Sequence, residues 1–301
     1  MSGGPRAGGR ARAAAEPPAP ELFLSGRVGH TGPRRAVALR AADRLIDLTL
    51  RARRVPGRLD RLAEAVPRRK VLALCVYRPS STLVSAIARE LAATRHELNL
   101  VLGCLGDPPP ELAEHTTVAG LRGGKFENLN RLLEQSRAAE HDWLLIVDDD
   151  VALPERFADR LLGICEALDM ALAQPAQTLA SHAAWPVTRR HAGALARETR
   201  FVEIGPVTAL RRDSAAALTP FPELRYGWGL DLYWAALAHE RGWRLGVIDA
   251  LAVRHEQAGV AAGYDHQAAV DEAARFLASR PFVPADEAGQ TLAVHRRLPC
   301  V

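Results

Sequence analysis

Long apolar segments, closely paired cysteines and a secretory signal are all missing from this sequence. It has no run of about 18 or more apolar residues, so no membrane-spanning helix is expected. The cysteines (Cys75, Cys104, Cys165 and Cys300) are widely spaced without a CxxC pair, which argues against a zinc site or a disulfide framework and suits a reducing compartment. Residues 1–20 are rich in Gly, Ala, Pro and Arg and lack an apolar centre, so we expect a cytoplasmic protein.

Aromatic residues are scarce as well, at 5% of the 301 residues, although a hydrophobic content of 48% is enough for a folded core. Residues 1–70 are strongly basic, with 16 Lys and Arg against 6 Asp and Glu, whereas the remainder is slightly acidic. Such a basic region can meet nucleic acid, an anionic membrane surface or only solvent. Because Phe23 is its only aromatic residue and nucleic-acid bases stack on aromatic rings, we expect no nucleic acid as a partner.

This basic region divides into a disordered arm at residues 1–30 and a basic amphipathic helical segment at residues 31–69. Arginines occupy several faces of the helix predicted at residues 36–54, and one apolar stripe recurs at three- to four-residue spacing: Val37, Ala41, Leu45, Leu48 and Ala52. Since amphipathic helices usually face a core, we expect this helix to pack on the main domain or a partner subunit. The alternative is peripheral contact with the inner face of a membrane.

After Pro67 the pattern changes to alternating strands and helices. Apolar runs predict strands at residues 71–77, 98–105, 116–121 and 143–147, and helical periodicity predicts helices at 80–94, 127–137 and 154–172. The run at 143–147 is apolar at every position, as expected where both faces of a sheet are covered. This alternation predicts an α/β fold, with a mainly parallel twisted sheet and helices on both faces.

Three aspartates, Asp148, Asp149 and Asp150, follow the strand at 143–147 directly. Ligands of open α/β sheets bind beyond the carboxyl ends of the strands. In an extended chain, Asp148 and Asp150 project to one side and Asp149 to the other. Two converging carboxylates repel unless a cation lies between them, and Mn²⁺ or Mg²⁺ suits such a place because hard ions prefer oxygen ligands and leave coordination sites for phosphates. The alternative is a loop in which the aspartates cap the next helix.

This Asp-x-Asp motif at a strand end, some way after a first βαβ unit, resembles the nucleotide-diphosphate site of GT-A glycosyltransferases, particularly glycosyltransferase family 2. The segment 124–130 resembles that family's Gly-Lys-…-Leu-Asn segment upstream of the metal motif. The resemblance implies that Lys125 and Asn130 lie beside the nucleotide diphosphate, where a cation and a helix N-terminus both favour phosphate. It also implies that Asp107, after the second strand, binds the nucleotide base.

A second stretch, residues 226–256, resembles the acceptor half of GT-A enzymes. An acidic residue opens a helix, a Gly-aromatic turn leads to a strand, and a histidine follows. The resemblance implies that Asp231 is the general base of an inverting transfer and His255 a third metal ligand beside Asp148 and Asp150. It further implies that Trp228 stacks on the acceptor sugar. An inverting transfer does need one carboxylate to take the proton of the acceptor hydroxyl.

The sequence departs from the family pattern at one place, because Leu230 precedes Asp231 where the family usually has Glu-Asp. The base could therefore be Glu223, or the transfer could be retaining. The resemblance places a GT-A domain at residues 70–258, with a nucleotide-sugar half at 70–152 and an acceptor half at 153–258, followed by a C-terminal helix and tail at 259–301. It implies a nucleotide-diphosphate sugar as donor and a hydroxyl group as acceptor. Two alternatives stay open: a non-catalytic GT-A-like binding or scaffold protein, and a haloacid-dehalogenase-type phosphohydrolase.

Overall fold

A sheet of ten strands is the central feature of the computed structural model, which describes residues 16–25, 33–181, 183–255 and 265–299. The strands are β1 (Lys70–Tyr77), β2 (Glu97–Cys104), β3 (Thr116–Val118), β4 (Trp143–Val147), β5 (Val151–Ala152), β6 (Met170–Gln177), β7 (Ala196–Thr199), β8 (Val207–Arg211), β9 (Arg244–His255) and β10 (Thr291–His295). The helices are α1 (Pro33–Ala52), α2 (Val55–Ala65), α3 (Val84–Ala92), α4 (Pro110–Ala113), α5 (Lys125–Glu134), α6 (Phe157–Ala167), α7 (Arg212–Leu218), α8 (Leu230–Glu240), α9 (His266–Leu277) and α10 (Ala285–Ala288).

The strand order is β10-β7-β9-β6-β8-β4-β1-β2-β3, with β5 pairing to β9 beside this path. β8 and β7 run opposite to the other seven strands of the path. The order β3-β2-β1-β4 is that of a Rossmann-like half, in which parallel strands alternate with helices. The predicted α/β fold with a mainly parallel sheet is therefore confirmed.

Both faces of the sheet are covered, as the all-apolar strand β4 predicts. Alternate residues of β1 show this, because Leu72 and Leu74 join a core with α5 and α8, whereas Val71 and Ala73 join a second core with α2 and α6. Among the described residues, no helix combines the length and the apolar character needed to cross a bilayer.

The prediction of one long helix at residues 154–172 was wrong at the C-terminal end of that helix. α6 stops at Ala167, Asp169 takes a left-handed backbone conformation, and the fully buried strand β6 begins at Met170. Met170 to Ala173 are good helix formers, so the local pattern does not separate the two structures. Pairing of β6 with β8 and β9 decides in favour of a strand.

Both ends of the chain contribute more to the fold than the sequence predicted. In the predicted disordered arm, residues 16–25 are described, and Phe23 is buried in the core that contains α8. The rest of that arm, at 1–15 and 26–30, lies outside the described residues. Near the other end, β10 pairs with β7, so the C-terminal segment is part of the main sheet rather than a tail.

The helix α1 packs on the domain through a face other than the predicted apolar stripe. Its buried residues are Asp43 and Leu50, and Ile46 lies partly buried against the α2–α6 core. The stripe itself faces solvent, since Val37, Ala41, Leu45, Leu48 and Ala52 are all exposed. Packing on the main domain was thus predicted correctly, but the contacting face was not.

Candidate functional site

The strand β4 delivers the three aspartates to the carboxyl edge of the sheet, where they form a turn rather than an extended segment. The backbone N–H of Asp148 donates to the carbonyl of Pro206 at 2.8 Å. From this turn each carboxylate meets a different cationic partner: Lys125 for Asp148, Arg78 for Asp149, and the imidazole of His255 for Asp150. The end of β4 is thus contacted by side chains from the residue after β1, the start of α5 and the end of β9.

Lys125 is the first residue of α5, and its Nζ lies 2.5 Å from Oδ1 of Asp148 and 2.8 Å from the carbonyl oxygen of Ile204. Burial raises the pKa of Asp148, and the charge of Lys125 offsets this increase only in part. The preceding Gly124 allows a close approach, because a Cβ there would lie 2.1 Å from the carbonyl oxygen of Arg225. The first residue of α5 thus directs its ammonium group at the acidic turn, and a cation at a helix N-terminus favours phosphate.

His255 ends β9 and reaches the turn because β9 pairs with β5, which follows Asp150. Its Nε2 lies 3.0 Å from Oδ1 of Asp150, and its backbone N–H donates to Oγ of Ser181. Burial alone would lower the pKa of His255, but the hydrogen bond and charge of Asp150 outweigh it and raise that pKa. Conversely, burial would raise the pKa of Asp150, and His255 lowers it.

Arg78, at the end of β1, is a site residue that the sequence reasoning missed. Its backbone N–H and its Nε both donate to Oδ2 of Asp149, and a terminal guanidinium nitrogen lies 2.7 Å from Oδ1. The same nitrogen lies 3.5 Å from Asp150. Asp149 also holds the next turn, because Oγ of Ser81 donates to its carbonyl oxygen at 2.5 Å. Asp149 therefore fixes the turn while its two neighbours face the candidate site. The sequence feature that could have identified Arg78 is its position directly after an apolar strand.

A second pair of acids, Asp231 and Glu203, lies near the turn, with Asp231 buried and Glu203 partly buried. Asp231 lies in the first turn of α8 and is 6% exposed. Its pKa is raised to about 8, first by burial and second by the negative charge of Glu203, while backbone hydrogen bonds with Leu232 and Ile204 lower it in part. Two carboxyl groups in a dry environment do not ionise together easily, so one of them retains a proton near neutral pH.

Glu203 was not predicted as a site residue. Its Oε2 accepts hydrogen bonds from Gln177 at 2.9 Å and from Thr188 at 3.0 Å, and its backbone N–H donates to Gln174. Burial raises the pKa of Glu203 to about 7, although the hydrogen bond from Thr188 lowers it. Its segment also supplies the carbonyl of Ile204 that binds Lys125. The only feature of the sequence that could have indicated Glu203 is its position as an acid between apolar residues.

The remaining predicted site residues are placed less directly. Asp107 is exposed in the bend after β2, at the same edge of the sheet as the aspartates. The amide of Asn130 exchanges two hydrogen bonds of 2.8 Å with the backbone of Phe221, so its polar atoms serve the fold there. Trp228 is partly buried with its ring edge-on to His266 at 5.0 Å. Glu223, the alternative base, is exposed.

The predicted metal ligands fit a divalent cation in kind but are engaged with other partners. Asp148 and Asp150 offer carboxylate oxygens, which suit Mn²⁺ or Mg²⁺, and His255 adds an imidazole nitrogen, which Mg²⁺ accepts less readily. Within the described parts of the chain, no three or more His, Cys, Asp or Glu side chains are arranged to hold a metal ion. A metal would take the place of Lys125 on Asp148 and of the contact between Asp150 and His255.

The sheet topology and the acidic turn at the end of β4 define an α/β protein with a mainly parallel sheet and a Rossmann-like half. No protein-family model and no curated protein matches the chain. Among solved structures, it is similar to the mannosyltransferase PcManGT from Pyrobaculum calidifontis in complex with GDP-Man and Mn²⁺, with 18% identity, a TM-score of 0.47, and coverage of 76% of this chain and 69% of that one.

A second similar structure is S. aureus TarS 1-349 in complex with UDP-GlcNAc, with 12% identity, a TM-score of 0.47, and coverage of 65% of this chain and 62% of that one. A mycobacterial protein matches at 13% identity and a TM-score of 0.42, with coverage of 80% and 77%. Because these TM-scores are below 0.5, the likenesses carry no conclusion about either fold or activity.

Proposed function

We propose that the protein is a glycosyltransferase that moves a sugar from a nucleotide-diphosphate donor to a hydroxyl acceptor. The observation that carries this proposal is the convergence at one sheet edge of Lys125, the acidic turn at Asp148–Asp150, and the buried acid Asp231. A lysine at a helix N-terminus suits a diphosphate. A buried carboxyl with a raised pKa suits proton transfer near neutral pH.

In the proposed reaction, the carboxylate of Asp231 takes the proton of the acceptor hydroxyl. The acceptor oxygen attacks the anomeric carbon, and the bond from that carbon to the diphosphate oxygen breaks, so the nucleoside diphosphate leaves with the electron pair. This transfer inverts the anomeric centre. Because the pKa of Asp231 is raised to about 8, its ionised form is a stronger base than an ordinary aspartate, and the fraction in that form increases as the pH rises towards 8.

The diphosphate would lie between α5 and the acidic turn. Lys125 would bind its oxygens, and Asp148, Asp150 and His255 would hold Mn²⁺ or Mg²⁺ beside it. When bound, such an ion neutralises the charge that develops on the departing diphosphate. Asp107 and Trp228 stay candidates for the nucleotide base and the acceptor sugar, and Asn130 acts on the loop at Phe221.

Thermal unfolding in the presence of nucleotides tests the donor site without knowledge of the acceptor. Wild type, Asp150→Ala and the exposed control Asp271→Ala would each be heated with UDP, GDP, TDP or CDP, in Mn²⁺ or in chelator. A ligand at about 100 times its Kd stabilises the native state by about 2.7 kcal/mol. We expect a metal-dependent increase in Tm with one nucleotide, which is lost in Asp150→Ala and kept in the control.

An increase in Tm that persists in chelator would support the nucleotide site but contradict the requirement for a metal. No shift with any nucleotide would reject the donor site and favour a non-catalytic scaffold. Once the nucleotide is known, Asp231→Asn should bind it normally but release no nucleoside diphosphate from the matching sugar donors. Normal turnover by that variant would place the base elsewhere.

A further inference from the structure

The helix α1 is held on the domain by polar contacts along one face. Both carboxylate oxygens of Asp43 accept backbone N–H groups, from Leu179 at 3.0 Å and from Ala180 at 3.1 Å. One turn further, Asp47 pairs with the buried Arg190 at 2.6 Å. These contacts fix the rotation of the helix about its own axis, so the opposite face has a defined direction.

That opposite face carries an apolar stripe that no described residue covers. Val37, Leu45 and Leu48 are 63%, 66% and 60% exposed, and Ala41 and Ala52 continue the same row. Of the six large hydrophobic side chains that are exposed in the described parts of the chain, three lie in this one row. Single exposed apolar residues are ordinary, but a contiguous row on one helix indicates a surface that is covered in use.

Exposed arginines run along one side of the stripe. Arg40, Arg44 and Arg51 recur with the spacing of the helix and lie next to the apolar row. An apolar face with a cationic border has the chemistry of a helix that lies in the interface of an anionic bilayer, where leucines enter the acyl boundary and arginines meet phosphate groups. Asp47 lies on the far side of these arginines and is paired with Arg190, so the side chains directly beside the stripe are cationic. A protein partner or a second copy of the chain does not require such a border.

We propose that α1 is a membrane-surface helix that docks the protein on anionic lipid through the stripe and the arginines Arg40, Arg44 and Arg51. The polar contacts of Asp43 and Asp47 hold the helix while its outer face enters the headgroup region. This proposal is independent of the proposed transferase activity, because lipid binding needs neither donor nor acceptor.

The test is co-sedimentation of the full chain with vesicles of equal parts phosphatidylglycerol and phosphatidylcholine, and with vesicles of phosphatidylcholine alone. Wild type should bind only the anionic vesicles, and high salt should release it. Replacing Arg40, Arg44 and Arg51 by Gln should weaken binding about fivefold per arginine, or on the order of a hundredfold together. Replacing Leu45 and Leu48 by Ser should weaken it at least about tenfold.

Two control variants carry the same chemical changes elsewhere. Arg89, Arg131 and Arg137 are exposed on other helices and loops, and their replacement by Gln removes the same charge. Leu22 and Leu292 are the exposed leucines outside α1, and both would become Ser. Both controls should bind like wild type, and all variants should unfold at the wild-type midpoint because the changed side chains are exposed.

Three results would overturn the proposal. One is absence of binding to the anionic vesicles, or equal binding to both kinds. Another is an equal loss of binding in the controls and in the α1 variants. The third is self-association of wild type without lipid that the Leu45 and Leu48 substitutions abolish, because a second copy of the chain would then be what covers the stripe.

Discussion

Replacing Asp231 by Asn should make the stability of the protein less dependent on pH. The pKa of Asp231 is raised from 3.8 to about 8, mainly by burial and secondly by the charge of Glu203. In the unfolded chain the carboxyl ionises in its ordinary range, so between about pH 4 and pH 8 the native state holds a proton that the unfolded state has released. The free energy of unfolding of wild type must therefore decrease as the pH rises through this window.

The decrease is about 1.4 kcal/mol for each pH unit, or on the order of 4 kcal/mol across three units. An Asn side chain carries no charge and can still accept the 3.0 Å hydrogen bond from the backbone of Leu232. The variant should thus match wild type at the acidic end and exceed its stability by about that amount at the basic end. The free energy of unfolding of the variant should still decrease with rising pH, although less steeply, because the pKa of Glu203 is raised to about 7.

The free energy of unfolding of both proteins can be measured by urea unfolding at a series of pH values across this window, without nucleotide or metal. Asp271→Asn is the matched control, since Asp271 is exposed on α9, and its curve should parallel that of wild type. If the curve of Asp231→Asn also runs parallel to wild type, Asp231 ionises in its ordinary range. That result would refute both the pKa argument and the special basicity assigned to this carboxyl.

Three further substitutions test how the site and the core are built. Gly205→Ala should leave the fold intact but weaken nucleotide binding measured by titration, because its Cβ would lie 2.7 Å from Oδ2 of Asp148 and push that carboxylate aside. Asp149→Asn should lower stability in urea by about 1–3 kcal/mol, since Arg78 would lose its charged partner. Gly163→Ala should cost about 1–3 kcal/mol in the same assay, because its Cβ would lie 3.0 Å from backbone atoms of α2 that have no room to move.

The fold could be predicted where the local pattern and the tertiary environment agree. Residues 143–147 are apolar throughout and form a buried strand between two other strands, and the aspartates that follow mark its carboxyl end. The prediction fails where the same apolar pattern fits both a helix and a strand. This is the case at Met170, where residues that favour helices form a strand. For α1 the pattern gave a helix but the wrong contacting face, because Asp43 and Asp47 fasten it to the domain by ion pairs and hydrogen bonds that hydrophobic spacing does not reveal.

The candidate site was predictable to the extent that its residues follow strands or begin helices. Lys125, Asp148, Asp150 and His255 come together because strand ends and a helix N-terminus converge at one edge of the sheet. Arg78 follows a strand as well, but its role depends on Asp149, a partner 71 residues away in the sequence. Contacts between distant segments are not encoded in local spacing, which is why this residue was missed.

The apolar residue at position 230 and the acid that lies near Asp231 also depend on contacts between distant segments. Leu230, the first residue of α8, is fully buried, so a glutamate there would place a charge in the core at a large free-energy cost. Glu203 instead brings the second carboxyl to Asp231 from the segment between β7 and β8, where Gln177 and Thr188 donate hydrogen bonds to it. Asp231 and Glu203 therefore interact although they are far apart in sequence. Because the charge of Glu203 raises the pKa of Asp231, the two carboxyls titrate as a pair, and the basicity of Asp231 depends on the ionisation of its neighbour.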